Sequence, residues 1–217
     1  MKYAALLGFG VVGSGTAEVL THNRALIEAR VGEPIRIKYI LDLRDFPDSP
    51  FRNLITHDFQ VILNDPEVSV VAEMMGGAHP AYDFTKALLE AGKNVISEKP
   101  VTLDTASLQR MFDAADKAGR LFTVHQNRRW DVDFLAMKHL KETGELGDFI
   151  RIESRIHGSR GIPSDWRGIK QYGGGMLYDW GVHLIDQILQ LFPQPVTAID
   201  CRFDHITNKE VDDGFRL

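Results

Sequence analysis

The sequence contains one cysteine, Cys201, in 217 residues. A lone thiol closes no internal disulfide, and without a cysteine cluster there is nothing of that kind to hold zinc. The histidines do not replace it: His22, His57, His79, His139 and His205 show no ligand spacing and read as structural, so no metal site is expected. Long apolar runs are also missing. None approaches the roughly 18 residues that a membrane helix needs. The apolar start is cut by Gly8 too early for a secretory leader. A soluble, cytoplasmic protein without a membrane partner is expected. Positive charge is not in excess either, with 25 Lys and Arg against 30 Asp and Glu and a net charge of -5. That balance argues against a polyanion-binding surface, so nucleic acid is not an expected partner. Repeats and low-complexity tracts are absent. The 44 % of hydrophobic and 25 % of charged residues are those of a folded globular chain and argue against disorder.

What is present is an alternation of short apolar runs and helical spacing. Tyr3 to Leu7 reads as a buried strand, Val11 to about Arg30 as a helix, and Ile35 to Leu41 as a second strand. Arg44 to Asn53 carries Pro47 and Pro50 and reads as a loop, followed by a short helix near Asp58 to Leu63. Val68 to Met75 is strand-like and closed by Gly76 and Gly77. Pro80 to Ala91 has helical spacing, with Gly92 as its C-terminal cap. Asn94 to Ser97 and Leu121 to Val124 read as strands. Between them, Asp104 to Ala118 reads as a helix, capped by Asp104 or Thr102 and ended by Gly119. Strand and helix in alternation predict a parallel, doubly wound sheet.

The pattern changes near His125. Asp131 to Glu142 reads as a helix, Phe149 to His157 alternates with period two as a strand, Leu177 to Phe192 reads as a helix and Thr197 to Phe203 as a strand. The expected fold is therefore α/β. A Rossmann-type dinucleotide-binding domain over residues 1–125 precedes a partial α+β substrate domain over residues 126–217, built on an open, mainly antiparallel sheet. Phe215 looks like the beginning of a further strand, so that second domain is expected to be incomplete.

Gly8-Phe9-Gly10-Val11-Val12-Gly13 fits G-x-G-x-x-G between the first strand and the first helix. In such a loop the first glycine permits a tight turn, the second lets a pyrophosphate approach the backbone, and the third lets helix and strand pack closely. The helix start supplies free N–H groups and the positive end of its dipole. These residues are the candidate cofactor site. Asp42 ends the second strand, where a carboxylate accepts hydrogen bonds from the adenosine ribose and favours NAD. Nearby Arg44 could instead hold a 2′-phosphate, so NADP stays open, and Asp42 could simply cap its strand.

Oxidising an alcohol requires a base for the hydroxyl proton, an orienting group, and a stabiliser of negative charge on oxygen. Asp179 and His183 are spaced i, i+4 and share one face of an α-helix. There a carboxylate could set the tautomer of an imidazole that acts as base. Lys99 follows a strand at the carboxyl edge, where doubly wound sheets place ligands, and its ammonium could stabilise an alkoxide. Asn127, Arg128 and Arg129 leave the final strand, and either bind substrate hydroxyls or form a basic hinge. His157, Arg160, Trp166 and Arg167 could line the same site, and Asp186 could extend its polar face.

Two resemblances rest on these motifs. Residues 3 to about 91 resemble the cofactor domain of homoserine dehydrogenase, through the glycine loop with Ser14 and Gly15, Asn64-Asp65-Pro66-Glu67-Val68, and Glu73-Met74-Met75-Gly76-Gly77. From about Glu90 onward the chain resembles the Gfo/Idh/MocA oxidoreductases. Glu98-Lys99-Pro100 and the string from Gly173-Gly174-Gly175 through Asp179 and His183 to Asp186 carry that likeness. The second resemblance implies Lys99, Asp179 and His183 as catalytic residues and adds Glu98 and Lys99 to the cofactor contacts. Asn127, Arg128, Trp166, Asp179 and His183 are the expected substrate side. The function expected is NAD(P)-dependent hydride transfer to or from a sugar, cyclitol or related polyol, with a homo-oligomer possible. A homoserine dehydrogenase-like enzyme, and a dinucleotide-binding chain without turnover, are the alternatives.

Overall fold

The computed structural model describes residues 1–75 and 78–217, without the side chains of residues 78 and 79. Gly76 and Gly77, read as closing a strand, lie outside the described residues. The chain forms two units, Met1–His125 and Gln126–Leu217.

The first unit begins with β1 (Lys2–Leu7), α1 (Val11–His22), α2 (Arg24–Val31) and β2 (Ile35–Leu41). It continues through β3 (Ile55–Thr56), α3 (Phe59–Asn64), β4 (Val68–Glu73), α4 (Ala78–Glu90), β5 (Asn94–Ser97), α5 (Thr105–Ala118) and β6 (Phe122–Val124). Its six strands lie in the order β3-β2-β1-β4-β5-β6 and every pairing is parallel. This is the order of a dinucleotide-binding sheet, reversed between β1 and β4, and ligands bind beyond the carboxyl ends of strands at such a reversal.

The central strands are mostly apolar because both faces are covered. Successive side chains point to opposite faces, so Leu7 joins one core with Ile62, Val71, Leu88 and Met111, while Leu6 joins another with Phe9, Ala17 and Ile40. Each fully buried Leu contributes about 1.5–3 kcal/mol relative to an exposed one.

One helix expected from Val11 to Arg30 is two. Asn23 leaves helical geometry (φ -94°, ψ 18°) between α1 and α2. Thr21-His22-Asn23 is a run of weak helix formers, and asparagine competes for backbone hydrogen bonds in just this way. For α5 the cap is Asp104, whose carboxylate accepts the Ser107 N–H at 2.7 Å.

The second unit contains α6 (Val132–Thr143), α7 (Val182–Leu191), β7 (Arg202–Asp204) and β8 (Gly214–Arg216). The two strands pair antiparallel. Three expectations are corrected here. Residues 149–157 alternate in polarity but form no strand, and Ile150 is fully exposed. A strand exists through its ladder, and among the described residues none runs beside this segment. The strand expected over Thr197 to Phe203 is confined to Arg202–Asp204, the residues that face β8. The helix expected from Leu177 begins as a π-helical turn, Leu177–Gly181, before α7.

Candidate active site

In the first unit the glycine loop lies between β1 and α1. Gly8 adopts φ +95°, and a Cβ there would stand 2.9 Å from the Met74 carbonyl oxygen. At Gly13 a Cβ would lie 2.0 Å from the Gly8 carbonyl oxygen, because α1 is pressed against the loop. Among the described residues none lies within 4 Å of a Cβ built on Gly10. No side chain caps α1, and Val11 is 91 % exposed. Unclaimed N–H groups, a positive dipole end and free space above them fit a dinucleotide pyrophosphate. Phe9 differs from its neighbours: its ring is buried edge-on against Phe46 and Phe51, so it anchors the loop from beneath. Gly13→Ala is expected to force the helix off the strand, costing about 1–3 kcal/mol of stability as overpacking does. It should also weaken dinucleotide binding, as urea denaturation and a binding titration on the same sample would register.

Asp42 stands beside the loop and holds it. Its Oδ2 accepts the Phe9 N–H at 2.8 Å and Arg44 Nη2 at 3.0 Å, while Oδ1 accepts Arg44 N and Nε, each at 3.0 Å. Partial burial works against ionisation, but the Arg44 guanidinium and the two N–H groups outweigh it and hold the carboxyl at about 2. A carboxylate has about four acceptor positions, and these four contacts use them. His57 joins the same edge, with Nδ1 2.6 Å from the Asp42 carbonyl oxygen and Nε2 3.0 Å from Asp45.

Glu98 and Lys99 follow β5 at the carboxyl edge of the sheet. The Glu98 N–H donates to the Glu73 carbonyl at 2.9 Å, and the Glu98 carboxylate lies 2.7 Å from His125 Nδ1. That hydrogen bond raises the His125 pKa above its usual value. Beneath them Glu73 is buried, and desolvation pushes its carboxyl up to about 7 against the hydrogen bonds it accepts. Sequence reading missed Glu73 and His125. A carboxylate inside an otherwise apolar strand was the available signal for the first.

In the second unit the glycine run is a packing device. A Cβ on Gly174 would meet the Arg167 carbonyl oxygen at 2.3 Å, and one on Gly175, at φ +112°, would meet Asp212 Oδ1 at 2.2 Å. Asp212 in turn accepts the Leu177 N–H at 2.8 Å, fixing the start of the π-helical turn. That turn carries Asp179, and α7 carries His183. A π turn closes i to i+5 hydrogen bonds and widens the spiral, so the pair straddles a junction rather than one uniform α-helical face.

His183 is 5 % exposed, and its Nδ1 lies 3.1 Å from Gln126 Oε1. Trp180 packs edge-on to its ring, with centroids 6.1 Å apart. The Arg128 guanidinium covers the Trp180 ring at 4.4 Å and pairs with Asp131 at 3.0 Å. Its buried Nε has no acceptor among the described residues. Asp179 accepts Arg167 Nε at 3.0 Å, and Arg167 also binds Asp165 and stacks over Trp166. Gln126, Trp180 and Arg128 thus gather around His183, and Arg167 with Trp166 stands beside Asp179. Asn127 is exposed on the same 3-10 turn as Arg128. Asp186 closes a bidentate pair with Arg129, at 2.6 and 2.8 Å. Gln126 was not foreseen, since nothing in a glutamine's sequence position signals a histidine contact 57 residues away.

Among the described residues no group of His, Cys, Asp or Glu is arranged to hold a metal ion, and no helix is long and apolar enough to cross a membrane.

Comparison with known proteins matches residues 5–126 to the model described as "Oxidoreductase family, NAD-binding Rossmann fold", and residues 134–217 to the Gfo/Idh/MocA C-terminal domain. Over 98 % of its length the chain is 34 % identical to scyllo-inositol 2-dehydrogenase (NADP(+)) IolW of Bacillus subtilis, of which it spans 58 %. An NAD-binding protein from Listeria innocua superposes with a TM-score of 0.86 at 33 % identity, covering 99 % of this chain and 61 % of that one. Homoserine dehydrogenase of S. aureus is a partial likeness only, with a TM-score of 0.51 over 58 % of the chain. The first family model runs without a break past residue 90, where the two resemblances of the sequence were divided.

Proposed function

The chain belongs to the Gfo/Idh/MocA oxidoreductase family, and on that premise we propose that it transfers a hydride between NAD(P) and a secondary alcohol of a cyclitol, sugar or related polyol. The observation that carries this reading is His183, a buried imidazole held at Nδ1 by Gln126 in a chain that also carries an uncapped, glycine-packed dinucleotide loop. Bound nicotinamide supplies the hydride chemistry.

The chain's own residues supply the proton and charge handling. With the Gln126 oxygen as acceptor, His183 carries its proton on Nδ1, and Nε2 is the basic nitrogen that takes the substrate hydroxyl proton. Lys99 stabilises the developing alkoxide oxygen with its ammonium. Asp179, tied to Arg167, orients the substrate. The unused buried Nε of Arg128 is a donor suited to a further hydroxyl, since buried polar groups are rarely left without partners. Asn127 and Trp166 complete the substrate contacts. The loop from Gly8 to Gly13 and Glu98 hold the dinucleotide. Arg44 occupies Asp42, so ribose recognition by Asp42 requires Arg44 to swing away. The freed guanidinium would be available to pair with a 2′-phosphate. NAD is the preferred cofactor in this reading, and NADP is accepted.

Titrating the chain with NADH and NADPH, followed by nicotinamide fluorescence, is the direct test, with inositols then screened for turnover. Saturable binding of both, tighter for NADH, is expected. A folded chain that binds neither refutes the reading. Binding with no turnover on any polyol confines it to a dinucleotide-binding protein.

A further inference from the structure

The carboxylate of Glu73 has no part in the reaction as assigned above. It ends β4 at 2 % exposure, in register between Leu7 of β1 and Ser97 of β5. Its Oε1 accepts the Met75 N–H at 2.7 Å, and its Oε2 accepts the Ser97 hydroxyl at 2.6 Å. The same Ser97 Oγ lies 3.2 Å from the Glu98 carbonyl oxygen, which belongs to the peptide joining Glu98 to Lys99. A serine hydroxyl has one proton to donate. It serves the Glu73 carboxylate or the Glu98 carbonyl, not both.

We propose that Glu73 is a positioning residue for Lys99: its protonation state selects which acceptor the Ser97 hydroxyl serves, and so sets the peptide that carries the lysine. When Glu73 is ionised, Ser97 donates to it and the Glu98 carbonyl loses that donor. When Glu73 is protonated, its O–H donates to Ser97 Oγ, and the serine proton turns to the Glu98 carbonyl. Burial places the Glu73 carboxyl at about 7, with the nearby Glu98 charge adding to the rise. Both arrangements are therefore populated near neutral pH. The titratable groups that face Glu73 among the described residues are Glu98 and, through it, His125. β1 offers only the apolar Leu7 in register with it.

This inference rests on the assignment of Lys99 to catalysis, so its test includes a readout that does not. Carbon-13 at lysine Cε reports the titration of each lysine by NMR, and Lys99→Arg identifies the Lys99 resonance. In the unmodified chain that resonance should show an additional inflection near pH 7, where Glu73 titrates. In Glu73→Gln the amide donates permanently to Ser97 Oγ, imitating the protonated arrangement, and the inflection should vanish. Ser97→Ala removes only the hydroxyl and should abolish it as well, which answers the question even if Glu73→Gln does not fold. At about pH 8, where Glu73 is ionised in the unmodified chain, Glu73→Gln should lower kcat roughly tenfold through misplacement of Lys99, and leave dinucleotide Kd within about twofold. A Lys99 titration unchanged in the folded variants overturns the proposal. An inflection that vanishes as expected, in a chain that binds no dinucleotide, upholds the coupling and refutes the proposed function instead.

Discussion

His183→Gln is expected to reduce kcat on the polyol substrate by about 10²- to 10⁴-fold, the range that a positioned general base contributes, while the dinucleotide Kd changes by less than about twofold. The asymmetry follows from where the groups sit. His183 is held by Gln126 within the second unit, whereas the glycine loop is built entirely from the first. Glutamine is the informative substitution because His183 is 5 % exposed. Truncation to alanine would leave a cavity and confuse lost chemistry with lost packing. Lys99→Met keeps the length of the side chain and removes the charge; it is expected to lower kcat in the same sense and, because Lys99 is also an expected cofactor contact, to weaken dinucleotide binding by less than it lowers turnover. Steady-state kinetics with fluorescence titration of NADH on each variant separates the two effects. If either variant loses dinucleotide affinity in proportion to its turnover, the catalytic role assigned to that residue is wrong.

The second large effect concerns stability against pH. Glu73 has an ordinary value of 4.5 and stands at about 7 when folded, because burial penalises its charge. The folded state therefore binds more protons than the unfolded state between these values, and stability falls as pH rises through that window. The contribution is fully present below about pH 4.5 and lost above about pH 7, and amounts to roughly 3 kcal/mol. Glu73→Gln removes the ionisation while keeping the shape. Against the unmodified chain, the variant should gain up to about 3 kcal/mol in relative stability between pH 5 and pH 8. His125 and His57 are both raised when folded and lose stability in the same direction with rising pH. They are present in both proteins and cancel in the difference. Urea denaturation across this range decides the matter: parallel stability curves would mean that Glu73 does not titrate there.

Periodicity and spacing placed most of the first unit, though not the break at Asn23 or the two-residue strand β3. Apolar runs that end in glycine, followed by 3.6-residue spacing, can bury both faces of a strand in only a few ways. The parallel sheet, the glycine loop and the place of Lys99 after β5 follow from that. The same logic failed at residues 149–157, where alternation describes a surface but pairing needs a neighbour that local sequence does not contain. It failed again at Leu177–Gly181, where packing of Gly181 and of Asp212 against the chain selects a π turn that residue spacing does not encode.

Sequence by itself determined which residue types are available for chemistry: a G-x-G-x-x-G loop, one lysine after a strand, an Asp and a His four apart. Tertiary structure alone decided their partners. Asp42 is filled by Arg44 and Phe9, His183 meets Gln126, and Asp179 meets Arg167. It also made Glu73 a buried acid rather than a surface one. The physical reason is that the identity of a side chain is local, whereas its hydrogen-bond partners and its dielectric surroundings come from segments brought together only when the chain folds.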